Sequence, residues 1–197
     1  MKPYELVYDA ETRQHLLNGK WVPSVTEVLP EQKFFVSAER LEECRKEGED
    51  RHDLIHAFWR TGETFGDEML EALQRWHDDN AGLLGELILA EEPMASLQHR
   101  FCGKPDALFS RSIIDFKRQP GDSSYHELQF QGYEIMAVEA GLIKPLKSHL
   151  VAWWDGKDIK TRNVYGRNNS EVPARDAFLA CVRRAHDDKL IQTYFKK

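Results

Sequence analysis

Residues 103–117 read GKPDALFSRSIIDFK and place two aspartates and a lysine inside a pattern that predicts a β-hairpin. Strand interiors disfavour Asp and Lys. Asp115 and Lys117 nonetheless stand two apart, interleaved with Ile113, Ile114 and Phe116. The side-chain period of a strand is two, so Asp115 and Lys117 share one face while Ile114 and Phe116 take the other. Apolar neighbours on both faces predict a central strand rather than an edge. Asp106 falls late in the preceding strand, where it projects toward Asp115 across the hairpin. Two carboxylates converging in a half-buried place repel unless a positive group joins them. Oxygen ligands suit a hard divalent cation, magnesium or manganese, with Lys117 beside it.

Outward from the hairpin, the pattern predicts a mixed α/β chain with a small central sheet flanked by helices. The segment YELVYDAETRQHLLNGKWVP reads as a hairpin turning near Asn18-Gly19, followed by a loop at Pro23. A helix is expected from Ser37 to Gly62, with Gly48 a point where it divides, and a second over DEMLEALQRWHDD, with Gly82 and Gly85 marking a break. The stretch ELILAEEPMASLQHRFCGKPDALF reads as one or two strands. YHELQFQGYEIMAVEAG reads as a helix, with Ser124 and Glu127 spaced as a capping box and Gly141 at its end. HLVAWW and DIKTRNVY read as strands joined at Asp155-Gly156, and a closing helix follows Pro173. The organisation is one domain. It comprises an N-terminal hairpin and loop (1–35), a helical segment (36–80), a core sheet and helix (86–160) and a C-terminal helix (170–197).

Composition bounds the function. The formal charge of −6 argues against a simple nucleic-acid coat, but from Gly141 onward Lys and Arg outnumber Asp and Glu by 12 to 6. An acidic protein with a basic end can present a local phosphate-binding face. Arg162, Arg167, Arg175, Arg183 and Arg184 are its candidates. The three cysteines are far apart and form no C-x-x-C, which disfavours a disulfide framework, a zinc ribbon and an iron–sulfur cluster. No apolar run is long enough to span a membrane and no basic-then-apolar leader opens the chain, so a soluble, unexported, cytoplasmic protein is expected. No G-x-x-x-x-G-K-[ST] occurs, so no nucleotide-driven motor is expected.

Pro105-Asp106 followed by Asp115-Phe116-Lys117 resembles the PD-(D/E)XK nuclease superfamily. GKPD, IIDFK and ELQFQGY together resemble its RecB-like exonuclease family, including phage and mitochondrial single-domain members. The carrying residues are Gly103 and Asp106, Asp115 and Lys117, and Gln129 and Tyr133, with His56 on an upstream helix and Glu91 ahead of the glycine (Glu92 its rival). The resemblance covers about residues 20–140. It implies a restriction-endonuclease-like core in which His56, Asp106 and Asp115 hold Mg2+ or Mn2+, aided by the Phe116 carbonyl and by Glu91. Lys117 acts in catalysis, and Gln129 and Tyr133 serve beside the lysine or the nucleic-acid backbone. Ser24 and Thr26, in VPSVTEVL, resemble a segment of the single-domain members and are expected near nucleic acid. The implied activity is metal-dependent, exonucleolytic hydrolysis of linear DNA, single- or double-stranded, in phage or mobile-element recombination or DNA processing. The chain then acts alone, as an oligomer, or with a single-strand annealing or recombination protein.

Other readings remain open at this level. One is a flap-type endonuclease on the same site, and another is a non-catalytic nucleic-acid-binding protein. A third is a zinc hydrolase: His52 and His56 share a helix face with Asp53 between them, although Asp is one carbon shorter than the Glu of H-E-x-x-H. VAWW reads as core or, alternatively, as a surface for stacking bases.

Overall fold

Asn18 and Gly19 both adopt left-handed backbone (φ 51° and 73°), which two-residue hairpin turns require. They join β2 (Gln14–Leu17) to β3 (Lys20–Val22), and β1 (Leu6–Asp9) pairs on the far side of β2 to complete a three-stranded antiparallel sheet. The computed structural model describes residues 4–30, 38–119, 121–166 and 172–195. The loop expected at Pro23 contains a helical turn, α1 (Val25–Val28), with a complete capping box. Ser24 Oγ accepts from the Glu27 N–H, and the Glu27 carboxylate accepts from the Ser24 N–H. That box is legible as Ser24-x-x-Glu27.

Two long helices follow, α2 (Ala38–Thr61) and α3 (Glu68–Leu84). Neither interior glycine ends its helix: α2 runs through Gly48 and α3 through Gly82. Gly62 and Gly85, both at positive φ, stand just past the ends. Where one or two strands are expected after Gly85, there are four: β4 (Leu87–Ala90), β5 (Met94–Ser96), β6 (Phe101–Gly103) and β7 (Ala107–Phe109). β5 and β6 form a separate ribbon.

The main sheet has the order β10-β9-β8-β7-β4, with β8 (Ile113–Phe116), β9 (His149–Trp154) and β10 (Ile159–Asn163). β8 is therefore central. It is antiparallel to β7 and parallel to β9, reached through α4 (Ser123–Glu139). The last helix is α5 (Ala174–Phe195). Alternation along β8 divides two cores. Ile113 joins Leu108, Val151, Phe130 and Phe178 on one face. Ile114 and Phe116 join Ile55, Phe58, Leu70 and Leu73 on the other. The fold is thus a mixed α/β sandwich, with α1, α4 and α5 over one face of a five-stranded mixed sheet and α2 and α3 over the other. Among the described residues no helix is long and apolar enough to cross a membrane.

Two local expectations change. The N-cap of α4 is Asp122, which accepts from the Ser124 N–H. Glu127 instead accepts from the Gly166 N–H and ties the end of β10 to the helix. In addition, Glu134 and His149 form a buried contact at 2.7 Å, and Glu134 also accepts from the Leu146 N–H. That pair fixes the start of β9 against α4.

α4 approaches its neighbours at Gly132. A Cβ there would lie 2.7 Å from Phe178 Cζ and 2.8 Å from Val25 Cγ2. Alanine normally stabilises a helix interior over glycine by about 1 kcal/mol. Here overpacking, typically about 1–3 kcal/mol, outweighs that gain. Gly132→Ala is expected to lower unfolding free energy in urea titrations; a more stable variant would show that the three elements separate freely.

Candidate metal centre

The centre begins with strand register. Ala107 pairs with Ile114, so Asp106, one residue before β7, faces Asp115. Asp106 is at the bend that starts the strand, not late within the preceding one. Its Oδ2 accepts the Phe116 N–H at 2.5 Å, where the backbone ladder between the strands has ended. Both carboxylates are buried, Asp106 6% and Asp115 1% exposed. Burial pushes the Asp106 carboxyl up from its usual range, and the Asp115 charge pushes it further.

Three cationic groups answer this negative charge. His52 Nδ1, on α2, lies 3.2 Å from Glu91 Oε1 and 3.3 Å from Asp106 Oδ1. Hydrogen bonds to Asp106 and Glu91 outweigh burial and raise the imidazole to about 10. Lys104 forms an ion pair with the other Glu91 oxygen. Burial alone would raise the Glu91 carboxyl, but His52 and Lys104 together hold it below its usual range. The Lys117 ammonium forms an ion pair with Asp115 Oδ2 at 2.7 Å, within hydrogen-bonding distance. Burial would lower the lysine, yet the Asp115 and Asp106 charges hold it above its usual value.

His52, Glu91 and Asp106 offer ligand atoms that all lie within 4.8 Å of one another, a set that could hold a metal ion. Of the expected ligands, Glu91 and Asp106 are in this group, and His52 joins them. His52 stands one helical turn before His56; among the described residues His56 belongs to no such group. Glu91 rather than Glu92 enters the centre: Glu92 is exposed and lines a different cavity, with Tyr4, Met94 and Leu142. Glu91 follows β4 in left-handed backbone (φ 52°), rare for a residue with a side chain, and its N–H points at the carbonyls of Pro105 and Asp106.

Gln129 and Tyr133 stand together on α4. Gln129 Nε2 reaches Asp115 Oδ1 at 3.4 Å and donates to the Tyr133 hydroxyl at 3.0 Å. Burial raises the Tyr133 hydroxyl well above its usual pKa, so it stays protonated. His126 shares this helix face, three residues before Gln129, a spacing readable from sequence. It is 4% exposed, neither ring nitrogen has an aligned partner, and burial lowers its pKa. Phe116 is buried at the end of β8, next to the lysine.

A cleft beside the centre is lined by Arg51, His52, Phe116, Lys117, Trp153 and Trp154. VAWW thus splits: Val151 and Ala152 are core, while both tryptophans are partly exposed. Ser24 and Thr26 do not touch the carboxylates. They line a second cavity of about 490 Å³ that reaches Lys104 and Tyr133. Of the basic candidates, Arg175, Arg183 and Arg184 are exposed on α5, Arg162 approaches Ser123 at 3.5 Å, and Arg167 lies outside the described residues. No protein-family model matches the chain, and no curated protein matches it.

Two outcomes follow from this geometry. Millimolar Mn2+ should raise the melting temperature of the native chain and of His56→Ala, but not of Asp106→Asn, in differential scanning fluorimetry. Equal loss in His56→Ala would return that histidine to the centre. Because hydrogen bonds to Asp106 and Glu91 raise the His52 imidazole to about 10, a cation ligated by its Nδ1 at neutral pH must release that proton. Calorimetry of Mn2+ binding in two buffers of different ionisation enthalpy should show release of about one proton, lost in His52→Gln. Buffer-independent heats would show that the imidazole is not a ligand.

Proposed function

We propose that the chain is a divalent-metal-dependent deoxyribonuclease with a restriction-endonuclease-like core, of the PD-(D/E)XK, RecB-like kind, acting on DNA ends. The observation that carries the reading is the Asp115–Lys117 pair on a central strand, set across from Asp106 beside His52 and Glu91. A structural charge pair belongs at an edge or on a solvated face. Here the burial of two carboxylates is unfavourable for folding and makes sense as a place for a cation.

The donor set of carboxylates and one imidazole fits Mg2+ or Mn2+. Such an ion supplies polarisation of a phosphoryl oxygen and a lowered pKa for water. His52, Glu91 and Asp106 hold it, with Asp115 completing the acidic wall. Lys117 carries its own charge at neutral pH, being held above its usual pKa, and its side chain is 30% exposed toward the cleft. It orients the attacking water by hydrogen bonding and offsets negative charge gathering on the phosphate. Gln129 and Tyr133 keep the Asp115 carboxylate in place. Arg51, in the cleft, and Lys104, beside Glu91, meet the flanking phosphates. The corresponding setting is cytoplasmic DNA processing, recombination or repair of the phage or mobile-element type, with a single-strand annealing or recombination protein as a fitting partner.

End-labelled linear DNA should be degraded with Mg2+ or Mn2+ and spared with chelator, while closed circles survive. Asp115→Ala and Lys117→Ala should each slow hydrolysis about 100-fold or more. Hydrolysis by Lys117→Ala at the native rate would remove the lysine from the chemistry. Cutting of circles would make the activity endonucleolytic on the same site.

A further inference from the structure

The cavity lined by Ser24 and Thr26 also takes in Tyr8 and His15 of the N-terminal sheet. These two form a cross-strand pair with ring centroids 5.0 Å apart. Tyr8 is 56% exposed, so part of its ring faces solvent. His15 Nδ1 is buried and without a hydrogen-bond partner. The cavity, about 490 Å³, is also lined by Ser24 and Thr26, whose hydroxyls lie 3.3 Å apart, and by Lys104 and Tyr133.

Lys104 and Tyr133 both connect to the centre. Lys104 pairs with Glu91 while its side chain remains 56% exposed, so ammonium hydrogens are left to face the cavity. Tyr133 accepts from Gln129, which reaches Asp115. One cavity thus gathers two aromatic rings, two hydroxyls and a cation that is ion-paired to Glu91. A nucleotide offers the complementary groups, a flat base and an anionic phosphate. Gly103, on the cavity wall, has no side chain to narrow it, and a Cβ there would meet Val25 and Tyr133 at 2.8 and 3.0 Å.

Resting on the nuclease reading, we infer that this cavity is a subsite for one unpaired nucleotide of a single strand. The base lies on Tyr8 and His15, and its phosphate lies against Lys104 and the Ser24 and Thr26 hydroxyls. Stacking requires an exposed base face, which a paired base inside a duplex cannot offer to a side chain. The strand entering the centre is therefore single-stranded at this point, whether supplied so or frayed from an end.

The test uses the full chain in Ca2+, with fluorescence anisotropy of a labelled dT oligonucleotide and of a blunt duplex. It is paired with steady-state hydrolysis in Mn2+. Tyr8→Ala is expected to weaken single-strand binding about 5- to 100-fold, the range for loss of one stacked base. KM should rise in proportion and kcat should be kept, with duplex binding changed far less. Tyr8→Phe should restore native binding, since the ring and not the hydroxyl does the stacking. Native single-strand affinity in Tyr8→Ala, with hydrolysis intact, would overturn the subsite and leave the nuclease reading standing. A native chain that neither binds nor cuts DNA with any metal would overturn both.

Discussion

The N–H of Phe116 donates to the Asp106 carboxylate at 2.5 Å, and the centre is built around that bond. It lies where β7 and β8 stop exchanging backbone hydrogen bonds, so a side chain takes over from a main-chain carbonyl. One oxygen of Asp106 is thereby fixed to the central strand of the sheet, and the other is left for His52. The same bond keeps residues 115–117 in register with Asp106, which places Asp115 and Lys117 beside it. A carboxylate anchored in this way is rigid before any ligand arrives, and preorganisation of charge is where such sites gain their power.

The rest of the molecule can be understood as support for this arrangement. The apolar faces of β8 tie the strand to two cores, so the charged pair cannot drift toward solvent. α4 brings Gln129 and Tyr133 to Asp115, and at Gly132 it approaches Val25 and Phe178 closely. The buried Glu134–His149 contact then fixes the strand that runs parallel to β8. Removing one partner of a buried pair like this one costs far more than the pair itself contributes. Folding and function share α4, since one helix face meets Asp115 and the glycine on it meets the core.

Much of this was legible in the sequence because it follows from short-range period. A carboxylate and an ammonium two residues apart among isoleucines and phenylalanine can only belong to a strand with a special face. Gln129 and Tyr133, four apart, can only share a helix face. The choice between His52 and His56 is different in kind. They are also four apart and share a face, and only the position of α2 along its own axis decides which one meets the carboxylates. That position is set by Ile55 and Phe58 packing into the core beneath the sheet, a long-range fact. Glu91 was separated from Glu92 by a left-handed backbone, which no propensity reports for glutamate. The capping box at Ser124 lost to Asp122 because Glu127 had a partner 39 residues away. The Tyr8–His15 pair was hidden because β1 itself was not separated from the hairpin that follows it.

The most direct test is anomalous diffraction from crystals grown with Mn2+ and a short phosphorothioate single strand. A manganese peak is expected among His52, Glu91 and Asp106, with a phosphate between it and the Lys117 ammonium. Manganese bound elsewhere, including between His52 and His56, or an oligonucleotide seated away from Lys117, would contradict it.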